Sequence, residues 1–204
     1  MNDECKRKCQ IFTPKENVIQ LLDWIGYKTN LYGKKIIENS CGDGQILREI
    51  VYRYIKDCLR KHLDIDLIKK GLEEDIYGAE IDHKHYVRCI DNLNNIAKKY
   101  NINNVNWNII EKDILQEKLS ISYDFVVGNP PYINVQLMTV EEKQLYQKHY
   151  KSFFKRCDMF CLFLELGLIR LSSERGVVTL IIPSVVHSNM SYQKILFPTQ
   201  KKVY

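Results

Sequence analysis

At 204 residues, 45% hydrophobic and 27% charged, the chain has the length and composition of one globular domain with a sizeable core. No apolar run reaches the roughly 18–20 residues of a membrane span, and the start of the chain lacks the apolar stretch of a signal peptide, so a cytoplasmic, non-membrane protein is expected. A formal charge of +5, with clusters at Lys6-Arg7-Lys8, Arg60-Lys61-His62 and Lys201-Lys202, permits a polyanionic partner without requiring one; seven cysteines with no C-x2-C pair argue against a disulfide framework or a structural metal.

The first predicted element follows Ile11-Phe12-Thr13-Pro14. Thr13 is placed to cap a helix, with Pro14 at its first position and Glu16 closing a capping box. Val18, Leu21, Leu22 and Ile25 recur at helical spacing, and Gly26 ends the pattern. Lys34–Glu38 reads as a short strand that runs into Asn39-Ser40-Cys41-Gly42-Asp43-Gly44 and then a helix from Ile46 to about Leu59. A strand, a G-x-G turn and a helix form the nucleoside-binding start of an open α/β sheet. Leu47 stands where the dinucleotide fingerprint has its third glycine, which points to a cofactor without a pyrophosphate.

The charged stretch from Lys56 to Glu74 reads as the rest of that helix and a connector. Ile76–Asp82 is the second predicted strand. A carboxylate at its end, Glu80, is placed to accept from ribose hydroxyls. A helix over 83–100 follows, then a third strand over Val105–Ile110 that leads into Asp113-Ile114. Asp113 could accept from the exocyclic amine of a base-like ring.

The fourth strand, Asp124-Phe125-Val126-Val127-Gly128, stops at Asn129-Pro130-Pro131-Tyr132. Each Pro fixes its φ and lacks an N–H, so the turn is rigid. It offers an amide, two carbonyls with no competing N–H beside them, and an aromatic face, a set suited to a planar ring bearing an NH₂. Residues 141–154 are polar and mixed, a loop with helical portions; Asp158–Leu171 is a strongly apolar helix, and 172–176 turns the chain into a fifth strand over Val177–Pro183. Apolar strands alternating with helices give an α/β fold: a doubly wound, mainly parallel sheet with helices on both faces. All four candidate ligand segments then fall at strand carboxyl ends, on one edge of that sheet.

In this order, Ile11–Pro14, Glu38–Gly44, Tyr77–Asp82, Asp113–Leu115, Gly128–Tyr132 and Gly176–Ser184 resemble the gamma-type DNA adenine-N6 methyltransferases of restriction–modification systems. The resemblance implies a Rossmann-like catalytic domain over 1–204, with an N-terminal helix segment (1–26), a core sheet (34–183) and a short tail (184–204). It implies S-adenosylmethionine as cofactor and double-stranded DNA, with the target adenine flipped out, as substrate. Thr13 and Pro14 would lie by the methionine part, and Glu38, Asn39, Cys41, Gly42 and Gly44 would form the pocket floor. Glu80 would hold the ribose, Ile81 would pack on the adenine, and Asp113 with Ile114 would lie at its N6. Asn129, Pro130, Pro131 and Tyr132 would be the catalytic segment, with Asn129 also beside the cofactor. No metal is implied.

Such enzymes carry two further strands and a target-recognition domain, so selection of the DNA sequence is expected to need a separate specificity domain or a restriction subunit. Phe197 is the candidate for covering the other face of the flipped base. The rival readings are methylation of RNA adenine or of a protein glutamine amide, and a silent S-adenosylmethionine-binding module in a larger assembly.

Overall fold

The structure is a computed structural model that describes residues 13–118, 120–153 and 158–182. Ile11, Phe12, Pro183, Ser184, Phe197, and the basic clusters at Lys6-Arg7-Lys8 and Lys201-Lys202 lie outside the described residues. Among the described residues, the α-helices and β-strands are α1 (Lys15–Trp24), β1 (Ile36–Glu38), α2 (Gln45–Arg60), α3 (Ile65–Asp75), β2 (Ile76–Glu80), α4 (His83–Lys98), β3 (Asn108–Glu111), β4 (Tyr123–Gly128), α5 (Val140–His149), α6 (Phe160–Glu165) and β5 (Ser172–Leu180). The strands form one parallel sheet in the order β3-β2-β1-β4-β5. The expected doubly wound α/β class is the one found.

The two-residue period of the strands builds two cores. Ile36, Ile76, Ile109 and Val127 point to one face, where they meet buried residues of α1, α2, α3 and α4, among them Leu22, Leu47, Leu72 and Leu93. Ile37, Ala79, Val126 and Val178 point to the other, against Tyr146 of α5 and Phe160 to Leu164 of α6. Burial on both faces explains why β1 and β4 read as near-continuous apolar runs.

Several boundaries depart from the sequence reading. Pro14, not Thr13, is the N-cap residue of α1, and among the described residues no side chain caps that helix; the Thr13 hydroxyl meets Asn129 instead. The stretch after Leu59 is not one helix with a connector. His62 adopts φ +58°, the chain turns, and Asp64 caps a separate α3 by accepting from Leu67 N–H at 2.8 Å. The polar stretch after residue 140 is a regular helix with a complete capping box between Thr139 and Glu142. The apolar helix after Asp158 is α-helical only to Glu165 and continues as a wider π turn over Leu166–Leu171. β5 starts earlier than expected, at Ser172, but its register with β4 jumps from Tyr123↔Ser172 to Phe125↔Val177, so residues 173–176 bulge out where a turn was predicted. Among the described residues, no helix is long and apolar enough to cross a membrane.

Candidate functional site

The order of strands reverses between β1 and β4, since β2 follows on one side of β1 and β5 on the far side of β4. At such a switch the connections leave in opposite directions and open a crevice beyond the strand carboxyl ends. Asn39, after β1, and Asn129, after β4, flank it. Asn39 N–H donates to Val127 carbonyl at 3.1 Å, tying the turn to β4. Gly128 permits this approach, because a Cβ there would sit 2.2 Å from Asn39 Oδ1. Asn39 is 1% exposed, and among the described residues neither end of its amide has a hydrogen-bond partner, nor does buried Ser40 Oγ. An unpaired buried amide is costly, so these groups fit a polar ligand seated against the turn.

The glycine turn is held to the neighbouring strand. Cys41 N–H donates to Ala79 carbonyl at 2.9 Å, and Gly42 N–H donates to Glu80 Oε2 at 2.7 Å. Glu80 Oε1 accepts from Ile81 N–H at 2.9 Å and Asp82 N–H at 2.8 Å. A carboxylate offers about four lone-pair sites, so Glu80 is fixed at the end of β2 with acceptor capacity left on Oε2. Beside it Ile81 is 59% exposed, an apolar side chain presented to whatever occupies the edge. Gly44 has φ +79°, and a Cβ there would lie 2.7 Å from Cys89 Sγ, so the turn packs directly on α4. Cys89 donates to Cys41 Sγ at 3.9 Å, and this contact, followed by burial, pushes the Cys41 thiol well up. Cys41 is therefore a neutral packing group at neutral pH.

Glu38 is 2% exposed, and its Oε2 accepts from Leu47 N–H at 3.0 Å in the first turn of α2. Gly44 caps that helix and has no side chain to give, so Glu38 supplies the missing acceptor from the strand. Asp43, inside the turn, is bound to His85 Nδ1, and its carbonyl accepts from Asn92 Nδ2 at 2.9 Å. Farther along the edge, Asp113 Oδ2 accepts from Tyr146 hydroxyl and from Gln116 Nε2, both at 2.7 Å, while Oδ1 accepts from Leu115 N–H at 3.0 Å. Ile114 is 2% exposed and belongs to the second core.

At the other side of the crevice the Asn129-Pro130-Pro131-Tyr132 turn leaves β4. Pro130 is buried, and Pro131 and Tyr132 are half-buried. Tyr132 hydroxyl lies 2.7 Å from Asn129 Oδ1 and 3.0 Å from Ile181 carbonyl, and donates to one or the other. Burial pushes its phenol up, so it keeps its proton at neutral pH. Asn129 Nδ2 donates to Thr13 Oγ1 at 3.1 Å. The turn is thus tied to the N-terminal segment and to the end of β5.

The structure brings Thr13 to Asn129, Asn39 to Gly128, and Glu80 to Gly42, which joins three of the four predicted segments around the switch. Asp113 lies one strand farther out, tied to α5. Sequence reading missed the Ile181 carbonyl, which any residue carries, and Tyr146, which has no local signal linking it to an aspartate 33 positions earlier.

A family model described as the Eco57I restriction-modification methylase matches residues 27–202. The chain is 31% identical over 183 residues to the type II methyltransferase M.BstVI of Geobacillus stearothermophilus, covering 84% of this chain and 32% of that one. It spans about a third of the length of that relative. Among solved structures it resembles the type I restriction enzyme EcoKI M protein (TM-score 0.66, 15% identity, 93% of this chain and 37% of that one). It also resembles DrdV in a DrdV–DNA complex (TM-score 0.68, 18% identity, 93% and 22%). At those identities the likeness shows a shared fold.

Proposed function

The chain belongs to the Eco57I restriction-modification methylase family, and from that premise we propose that residues 1–204 form the catalytic domain of a site-specific DNA methyltransferase acting on adenine N6. The observation that carries this reading is the Asn129 amide held at the switch point, beside a rigid Pro-Pro turn and across the crevice from Glu80 and the glycine turn.

S-adenosylmethionine, when bound, supplies the electrophilic methyl group. Glu80 would accept from its ribose hydroxyls, Ile81 would cover its adenine, and Asp113 would accept from that adenine's amine, with Ile114 beside it. The turn from Glu38 to Gly44 would form the floor, where Asn39 has hydrogen-bonding capacity to give. Pro14 would close the methionine end, with Thr13 beside it and held to Asn129.

The rest is the work of the chain's own groups. An adenine amine is a poor nucleophile because its lone pair is delocalised into the ring. Asn129 Oδ1 and the Pro130 carbonyl would accept its two N–H groups and draw the nitrogen towards tetrahedral geometry. They interact most strongly as positive charge develops on nitrogen, so they favour the transition state over the ground state. The excess proton is acidic after transfer and passes to water, so no strong base is required. Tyr132 would stack on the target ring, which must leave the duplex to reach the turn. Choice of the DNA sequence, and any restriction partner, are proposed for the whole protein. A cytoplasmic location follows from action on DNA in cells that carry restriction systems.

The test is labelled S-adenosylmethionine with DNA, RNA and protein acceptors. Label on DNA adenine N6 is expected. Asn129→Ala should lower turnover by about 100-fold or more, while cofactor affinity stays within about twofold. Near-normal turnover in Asn129→Ala, or label only in RNA or a glutamine amide, would sink the reading. Cofactor binding with no acceptor ever labelled would identify a silent module instead.

A further inference from the structure

We propose that Thr13 is a positioning residue for methyl transfer: its hydroxyl holds the Asn129 amide in the orientation that presents Oδ1 to the target amine. The inference rests on the reading of Asn129 as amine acceptor. The two ends of a primary amide are nearly equal in size and opposite in hydrogen bonding. Turned one way, Asn129 offers an acceptor to the incoming N–H; turned the other way, it sets N–H against N–H. The local backbone cannot make this choice by donating to Oδ1, because Pro130 and Pro131 have no N–H. Side-chain hydroxyls contribute to it.

Two hydroxyls do so, and the contact lengths distinguish the ends. The 3.1 Å separation from Thr13 Oγ1 suits an N–H donor, and the 2.7 Å separation from Tyr132 hydroxyl suits an O–H donor to oxygen. A hydroxyl can pair with either end of an amide, and the two lengths together favour the orientation with Nδ2 at Thr13 and Oδ1 at Tyr132. Thr13 is the fixed partner of the pair. It precedes Pro14, whose φ of −55° is set by its ring, and Pro14 opens α1, where Val18, Leu21 and Leu22 are buried in the first core. Packing of α1 thus sets the place of a hydroxyl that lies 116 residues from the amide it holds. In this orientation the end presented to the target amine is the acceptor, Oδ1.

The experiment uses the full-length protein with Thr13→Val, which keeps the shape and removes the hydroxyl, and Thr13→Ser, which restores it. Turnover on DNA is expected to fall about fivefold in Thr13→Val, the factor that one modest hydrogen bond supplies. S-adenosylmethionine affinity should stay within about twofold, and Thr13→Ser should recover most of the loss. A second readout does not depend on activity: the Asn129 side-chain NH₂ resonances, assigned by their loss in Asn129→Asp. These protons should exchange with solvent faster in Thr13→Val than in wild type or Thr13→Ser. Unchanged turnover and exchange in Thr13→Val would overturn the proposal. Cofactor affinity falling in step with turnover would also overturn it, since Thr13 would then be a cofactor contact. If wild type methylates no acceptor, the reading of the site falls, and the exchange measurement still decides whether Thr13 holds Asn129.

Discussion

Glu38 shows how a single side chain can serve the site from behind it. Its position at the end of β1 was legible in the sequence, but its direction was not. The carboxyl turns away from open solvent to the first turn of α2, where Gly44 provides no cap. Burial, chiefly, and then the nearby Cys89 and Glu80 push this carboxyl well above the usual range, opposed by the Leu47 N–H. The folded state therefore holds a proton that the unfolded chain releases above roughly pH 4.3. Folding is favoured at low pH, and this contribution is lost as pH rises towards the folded value. Glu38→Gln keeps an oxygen for Leu47 and removes the titration. Its urea midpoint at pH 8 should exceed that of wild type, and the decline between pH 5 and pH 8 should flatten. A lower midpoint at pH 8 or an unchanged slope would contradict this account.

Among elements, the helices that periodicity concealed are informative. Leu59, Leu63, Leu67 and Ile68 keep helical spacing across the break between α2 and α3, so the apolar pattern gives no sign of it. The break rests on His62 in a left-handed conformation, without Gly or Pro to mark it, and on Asp64 as the new cap. Asp64→Ala should cost about 1 kcal/mol and lower the thermal midpoint by about 2–4 °C, measured by circular dichroism. A change well under 1 °C would mean that α3 is held by packing alone. α5 was obscured for another reason. Tyr146 is its one buried residue, so it has almost no apolar stripe, yet the Thr139–Glu142 box fixes its start. In β5 the bulge at 173–176 separates a first pairing at Ser172 from the regular ladder that begins at Val177.

For the molecule as a whole, the reversal of strand order at β1/β4 makes the candidate site. There Gly128 lies directly against Asn39, where a Cβ would enter the Asn39 amide. Gly128→Ala should therefore cost about 1–3 kcal/mol of stability and weaken S-adenosylmethionine binding by about tenfold or more, measured by calorimetry on the folded variant. Wild-type affinity in Gly128→Ala would show that the crevice is not the cofactor site.

The sequence by itself determined the alternation of strand and helix, the parallel α/β class, and the placing of Gly42, Glu80, Asp113 and Asn129 at strand ends. Those features depend on periodicity and turn chemistry, which act over a few residues. The tertiary structure alone decided that β1 lies between β2 and β4, that Asn39 rests against Gly128, and that Thr13 meets Asn129. It also turned Glu38 to α2. The reason is that side-chain direction and long-range pairing follow from how two cores pack around one sheet, and no local pattern records that packing.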